Sequence, residues 1–324
     1  MSTRTLGITY DTGTFGGERL TRRHFDPAQV RRELAVIAEE LHCRAVRITG
    51  GDPERLDVAA QVASEVGLEV WYSPFPADLP PARLLPFFAD CARRAETLRS
   101  EALRRNGAPV VFVAGCELSV FAEGFLPGAT HLDRLHAMTT ADLDWWLSLG
   151  PVPERLNDFL GEVAATVRGE FGGPVGYAAG SWEPIDCTPF DLVGLDAYRS
   201  GQNAAEYREQ LREARSHGKP VAVTEFGTCA YRTAGERGGT AWQVPADAVA
   251  DESEQVRYLE ELLDVFEEEG IDSAFWYTYA SYDKPGPRDV GSYGVVRLLD
   301  DDGERWERKR VFEAMAKAYL NAAT

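Results

Sequence analysis

Two glutamates stand at the ends of two apolar runs, Glu117 in VVFVAGCELS and Glu225 in KPVAVTEFG. Each run reads as a buried strand that stops at a carboxylate, and the interval between them leaves room for several strand and helix units. Paired carboxylates across a sugar are the machinery of glycoside hydrolysis: one protonates the leaving oxygen, and the other attacks the anomeric carbon or activates water. A single acid at a strand end more often caps the next helix or pairs with an arginine. Two such acids, each followed by small or loop-type residues, favour a shared role. Retention of configuration requires the carboxyl groups roughly 5 to 5.5 Å apart and in different environments, so that one is ionised while the other keeps its proton.

The elements that must position these acids follow from the alternation of short apolar runs with amphipathic stretches, the pattern of βα units around a parallel sheet. Strands are predicted at 6–10, 45–49, 69–73, 110–115, 175–179, 192–196, 221–225 and 273–278. The expected fold is a (β/α)8 TIM barrel in one domain spanning 1–324, with Glu117 and Glu225 ending the fourth and seventh strands at the C-terminal rim, where barrel enzymes do their chemistry. Asp26 before Pro27 and Asp52 before Pro53 mark helix starts. Longer helical stretches follow at 81–105, 153–170, 204–217, 253–269 and 308–320. After the fifth strand only SWEPIDCTPF intervenes, which predicts a degenerate fifth helix, and WERKRVFEAMAKAYL is expected to close the barrel base.

Three connections, 118–152, 226–252 and 279–307, exceed what βα loops need and follow strands four, seven and eight. They carry Phe121, Trp145, Trp146, Trp242, Tyr282 and Tyr293, and aromatic faces are what sugar rings stack on. Core packing competes for each of them, and Trp146 and Trp242 are the expected cleft aromatics. Arg47, ending the second strand, could reach across the rim and hold a carboxylate ionised, and Tyr198, just after the sixth, could donate a phenol hydrogen bond to the same group. Further rim candidates are Tyr10 and Asp11 after the first strand, Trp71 or Tyr72 on the third, and Trp182 with Glu183 after the fifth. Strand alternation lets only one of Trp71 and Tyr72 face inward. Glu183 reads first as a helix cap and otherwise as a third acid, and Asp196 is ambiguous in the same way with a structural role.

Composition narrows the partners. A formal charge of −18 opposes phosphate backbones and anionic lipid, so neither nucleic acid nor membrane is expected, and a neutral polar substrate suits the chain better. The Arg93, Arg94, Arg99, Arg104 and Arg105 group is interleaved with glutamates at helical spacing and reads as a solvated helix face. MSTRTLGITY runs straight into the first strand without an apolar signal core, and no stretch reaches the eighteen or so apolar residues of a membrane span, so a cytoplasmic location is expected. Cys43, Cys91, Cys116, Cys187 and Cys229 form no CxxC pair and read as small core residues. His24, His42, His131, His136 and His217 fall in helices or loops, none at a strand end, and no HExxH or GxSxG occurs; no metal and no cofactor are expected. The glycine-rich GGERL and GERGGTAW lack the lysine and the strand-to-helix context of a phosphate loop and read as loops.

With Glu117 and Glu225 at strands four and seven, Arg47 on strand two and Tyr198 after strand six, the chain resembles over nearly its whole length the retaining glycoside hydrolases of clan A, the cellulase and mannanase kind. That resemblance implies Glu117 as acid/base, Glu225 as nucleophile, and Trp276 as the strand-eight aromatic of the site; with those roles Arg47 and Tyr198 are expected within hydrogen-bond reach of Glu225 rather than Glu117. It also implies an asparagine before the acid/base to bind the sugar 2-hydroxyl, where this chain has Cys116, a poor substitute donor. YDTGT, GCELS and TEFG look similar, too, to uncharacterised bacterial proteins labelled abortive infection protein. The leading expectation is a retaining glycosidase or transglycosidase acting on a neutral glycan or glycoconjugate. A barrel that binds carbohydrate or a protein partner without turnover, in a phage response, is the alternative, and a non-hydrolytic acid/base enzyme acting on a small molecule is a third.

Overall fold

The eight apolar runs form strands in the order expected of a barrel: β1 (Thr5–Asp11), β2 (Ala45–Gly50), β3 (Glu69–Pro74), β4 (Val110–Cys116), β5 (Val175–Gly180), β6 (Val193–Asp196), β7 (Val221–Phe226) and β8 (Ser273–Trp276). The computed structural model describes residues 5–16 and 19–323. The first four residues, and Gly17 with Glu18 of GGERL, lie outside the described residues; Phe15–Gly16 and Arg19–Leu20 on either side pair antiparallel, where only a loop was expected. Each barrel strand is parallel to its neighbours, and β8 pairs with β1 through Thr5 to Ile8, which closes the (β/α)8 TIM barrel.

Side-chain alternation sorts the strands into two packed layers. Inside the barrel, Ala45, Trp71, Val111, Val113, Ala222 and Phe275 pack together, with the Trp71 and Phe275 rings 4.7 Å apart. Of the third-strand pair it is therefore Trp71 that faces inward, while Tyr72 points outward and its hydroxyl donates to Asp57. Outside, Ile8, Val46, Val70, Phe112 and Val223 meet the helix faces in the larger core. Period two on a strand and period 3.6 on a helix are what let these two faces meet.

The helices begin where their caps predict. Asp26 accepts from the amides of Ala28 and Gln29 at the start of α1 (Pro27–Glu39), and Asp52 from those of Glu54 and Arg55 at α2 (Pro53–Glu65), caps worth about 1 kcal/mol each. Then follow α3 (Pro81–Arg104), α4 (Val152–Glu170), α5 (Tyr207–Ser216), α6 (Ser253–Glu269) and α7 (Arg310–Ala323). Between β5 and β6 no helix forms among the described residues, in line with the Pro-broken SWEPIDCTPF. The long connection after β4 is not a bare loop. It holds three short helices, Leu118–Phe121, His131–Thr140 and Leu143–Ser148, the second closed by a reciprocal capping box between Thr130 and Asp133.

Candidate active site

Both glutamates need help from the backbone to reach the barrel mouth. On β7, strict alternation from inward Ala222 would turn residue 225 outward. Instead the pairing slips on both sides, since Leu195 faces Val223 and Asp196 faces Glu225, while Ala274 faces Val223 and Trp276 faces Phe226. The slip is a bulge of the kind that re-aims side chains beside active sites, and it leaves Thr224 and Glu225 facing the mouth while Phe226 packs outward on Phe266 and Trp276. β4 slips likewise between Val113 and Cys116, at Gly115 with φ +99°. Glu117 then adopts φ +45°, a left-handed conformation uncommon outside glycine and found at functional sites, and its carbonyl receives the amides of Val120 and Phe121.

The carboxylate of Glu225 is enclosed by donors. Arg47 Nη1 lies 2.6 Å from Oε1, and the Tyr198 hydroxyl donates to Oε2 at 2.8 Å. Arg47 is itself fully buried and aimed by Nε donating to Ser73 Oγ at 3.1 Å and Nη1 to the Thr224 carbonyl at 3.2 Å. This ion pair and phenol stabilise negative charge on Glu225. Tyr198 remains a phenol, its pKa raised by burial and by the Glu225 charge.

Glu117 sits in the opposite environment. Burial, followed by the charges of Asp196, Glu225 and Glu183, holds its pKa well above the usual carboxylate range, so the group keeps its proton more readily. Its turn is set from below by Glu183, whose Oε1 accepts the Ser119 amide and whose Oε2 accepts the Tyr177 hydroxyl and the Gly180 amide. Tyr177 in turn accepts the Leu118 amide at 2.7 Å. Glu183 thus acts as an anchor for the segment following Glu117. It does not line the cleft, which corrects its expected place among substrate contacts.

A third acid, Asp196, stands opposite Glu225 on the neighbouring strand. Asp196 Oδ1 accepts from Thr224 Oγ1 at 2.8 Å, and the Cys116 thiol donates to Oδ2 at 3.3 Å while lying 3.9 Å from Glu225 Oε1. Burial, then the Glu225 charge, pushes the Asp196 pKa up to about 8. Burial and the neighbouring carboxylates push the Cys116 thiol up as well, so it stays protonated. Cys116, Asp196 and Glu225 offer three ligand-type atoms within 4.8 Å of one another, but the Arg47 guanidinium already supplies the positive charge at Glu225.

Glu117, Glu225, Cys116, Asp196 and Tyr198 all line one cleft of about 730 Å³ at the barrel mouth. Trp182 and Trp242 line it too, together with Phe121 and Tyr293 from the long connections. Tyr10, Trp276, Asp11 and Trp146 do not, and neither do Glu183 and the buried Arg47. Tyr10 is fully buried on the outer face of β1 and donates to Glu33 of α1 at 2.5 Å. Trp276 is equally buried, packed on Phe226 and Tyr258 with Nε1 donating to the Tyr293 carbonyl. Both misplacements have one cause: Tyr10 shares the outward parity of Ile8, and Trp276 that of Ala274. Tyr277, one residue past Trp276, lines the cleft in its place. The Asp11 carboxylate accepts the Gly13 amide at 2.8 Å and holds its own turn. Trp146 lines a smaller neighbouring hollow. Thr224, Ser73 and Tyr177 are further site residues that the sequence does not single out; the inward parity that Ser73 shares with Trp71, and Thr224 with Ala222, is a signal for two of them.

No protein-family model matches this sequence, and no curated protein does either. Solved structures do match. A GH113 beta-1,4-mannanase superposes with a TM-score of 0.65 at 14% identity, covering 98% of this chain and 100% of that one. The GH113 beta-mannanase AaManA from Alicyclobacillus acidocaldarius, in complex with ManMIm, gives 0.63 at 18% identity, with 98% and 97% covered. The family 1 β-glucosidase from Thermotoga maritima gives 0.60 at 11% identity, with 99% and 98% covered. At such identities the likeness is one of fold, and the fold is the (β/α)8 barrel.

Proposed function

We propose that the chain is a single-domain retaining glycoside hydrolase or transglycosidase, similar in plan to the clan A enzymes, with Glu225 as nucleophile and Glu117 as acid/base. The observation that carries this reading is the contrast between two carboxyls in one cleft. Glu225 is paired with Arg47 and Tyr198, whereas Glu117 is held toward its protonated form. Opposed environments are how two chemically identical groups take acid and nucleophile roles. Glu117 donates its proton to the glycosidic oxygen as Glu225 attacks the anomeric carbon. Then Glu117, now a base, takes a proton from water or from an acceptor hydroxyl that displaces Glu225 from the glycosyl-enzyme. Five acids lining the cleft, Glu117, Asp196, Glu206, Glu225 and Glu236, against one arginine, Arg237, and a formal charge of −18 favour a neutral sugar over an anionic one, and give no footprint for nucleic acid.

Glu225→Ala should abolish turnover in a folded protein. Glu117→Ala should slow glycosides with poor leaving groups far more than activated aryl glycosides, with azide partly restoring turnover by intercepting the glycosyl-enzyme. Steady-state kinetics on paired substrates, with intact mass after a 2-deoxy-2-fluoro glycoside, checks both roles. Full activity in both variants on a substrate that the wild type hydrolyses removes the mechanism. Cys116 favours a second reading: where the resemblance implies asparagine, the thiol is engaged with Asp196, so a barrel that binds glycan without turnover, including one serving a phage response, is supported if the wild type binds sugars yet stays inert across the panel.

A further inference from the structure

Beyond the indole of Trp182 lies a second hollow of about 260 Å³, walled by Leu126, Trp146, Leu149, Val152 and Leu156. Trp182 lines both spaces, and its Nε1 donates to Ser119 Oγ at 3.1 Å, which fixes the ring between them. Ser119, two residues past Glu117, borders the hollow at its inner edge. At the outer edge Trp146 is 37% exposed and the adjoining Leu147 71% exposed, an apolar lip open to solvent.

The position of Glu117 decides which part of a substrate meets this hollow. An acid delivers its proton to the leaving oxygen, so the leaving group lies on the acid's side of the scissile bond, and the segment following Glu117 borders the hollow. Its walls are hydrocarbon and indole. The polar groups at its inner edge are committed: Ser119 Oγ to Trp182, and the Glu183 carboxylate to Ser119, Tyr177 and Gly180. They offer little to the hydroxyls of a second sugar. An apolar cavity of about 150 Å³ takes a benzene ring, so this one accommodates a substituted ring or a medium alkyl chain.

We infer that the hollow between Trp146 and Trp182 binds an apolar leaving group, making the substrate a glycoside with an alkyl or aryl aglycone rather than a polysaccharide. The inference rests on the glycosidase reading, and the two fail in different ways. The test uses methyl, butyl and octyl β-glucosides and β-mannosides for turnover, cello- and manno-oligosaccharides for comparison, and the corresponding alkyl thioglycosides for calorimetric binding.

Each methylene drawn into the hollow should raise kcat/KM by about two- to four-fold, so octyl should exceed butyl by at least about ten-fold. Trp146→Ala and Leu149→Ser should each bring that ratio toward one. Turnover that ignores chain length, or that favours the oligosaccharides, overturns the inference and leaves the hydrolase reading standing. Thioglycoside binding that tightens with chain length in an enzyme inert on every glycoside keeps the hollow and removes the hydrolase. A chain-length ratio unchanged in both variants overturns the placement.

Discussion

Asp196 stands between Thr224 and Cys116 with the Glu225 charge beside it, and its proton is held to about pH 8. The unfolded chain releases the same proton near the ordinary aspartate value of about 4. Between those limits the folded state binds more protons than the unfolded one, so stability contributed by this group falls as pH rises through the window. Asp196→Asn removes the titration. Urea midpoints measured from pH 4 to pH 8 should therefore decline more steeply for the wild type than for the variant, and parallel profiles would assign the proton elsewhere. The same residue illustrates why the cleft acids take unequal roles: each carboxyl is set by its neighbours, and those neighbours come from β2, β4, β6 and β7 at once.

At the scale of the element, the bulges on β4 and β7 set the aim of the two cleft glutamates. Gly115 holds φ +99°, and a Cβ there would lie 2.9 Å from Leu118 Cδ1. Gly115→Ala therefore meets both a backbone conformation that L-residues avoid and a close neighbour in the turn that carries Glu117. Strain of this kind costs about 1 to 3 kcal/mol. Because Glu117 depends on the turn for its aim, the loss of kcat should exceed what partial unfolding explains, by about 100-fold for a displacement of 1 Å. Denaturant melts alongside kinetics separate the two effects, and a variant with full kcat would show that the bulge does not aim the acid.

At the scale of the molecule, closure of the barrel is reinforced by a buried polar cluster that joins its first and last βα units. Arg22 and Glu33 pair at 3.0 Å with both side chains 1% exposed. Tyr10 of β1 and Tyr282 from the connection after β8 donate to the same Glu33 carboxylate, and Arg22 lies over the Tyr282 ring at 3.9 Å. Gln29 of α1 ties in the Gly303 carbonyl. Removing one partner of such a pair strands the other charge, a loss of about 3 to 5 kcal/mol. Arg22→Ala should lower the denaturant midpoint accordingly, and an unchanged midpoint would show the cluster to be dispensable. The hydroxyl that the sequence offered for a sugar, that of Tyr10, belongs to this cluster instead.

The sequence by itself determined the eight strands, the capped starts of α1 and α2, the missing fifth helix and the strand-end positions of Glu117 and Glu225, because each of these is written in local periodicity or in the chemistry of one or two adjacent residues. Charge and residue type made Arg47 and Tyr198 partners for a rim carboxylate, and the fold makes that carboxylate Glu225. Alternation, applied to Trp71 and Tyr72, would have excluded Tyr10 and Trp276 by the same count from their inward neighbours Thr9 and Phe275. The slips on β4 and β7 could not be counted in advance, since a bulge is a property of two paired strands and not of one. Only the closed barrel brings Asp196 to Cys116, Glu183 to the Ser119 amide, and Trp182 between two cavities, because those contacts join residues from separate strands whose spacing along the chain carries no trace of their meeting.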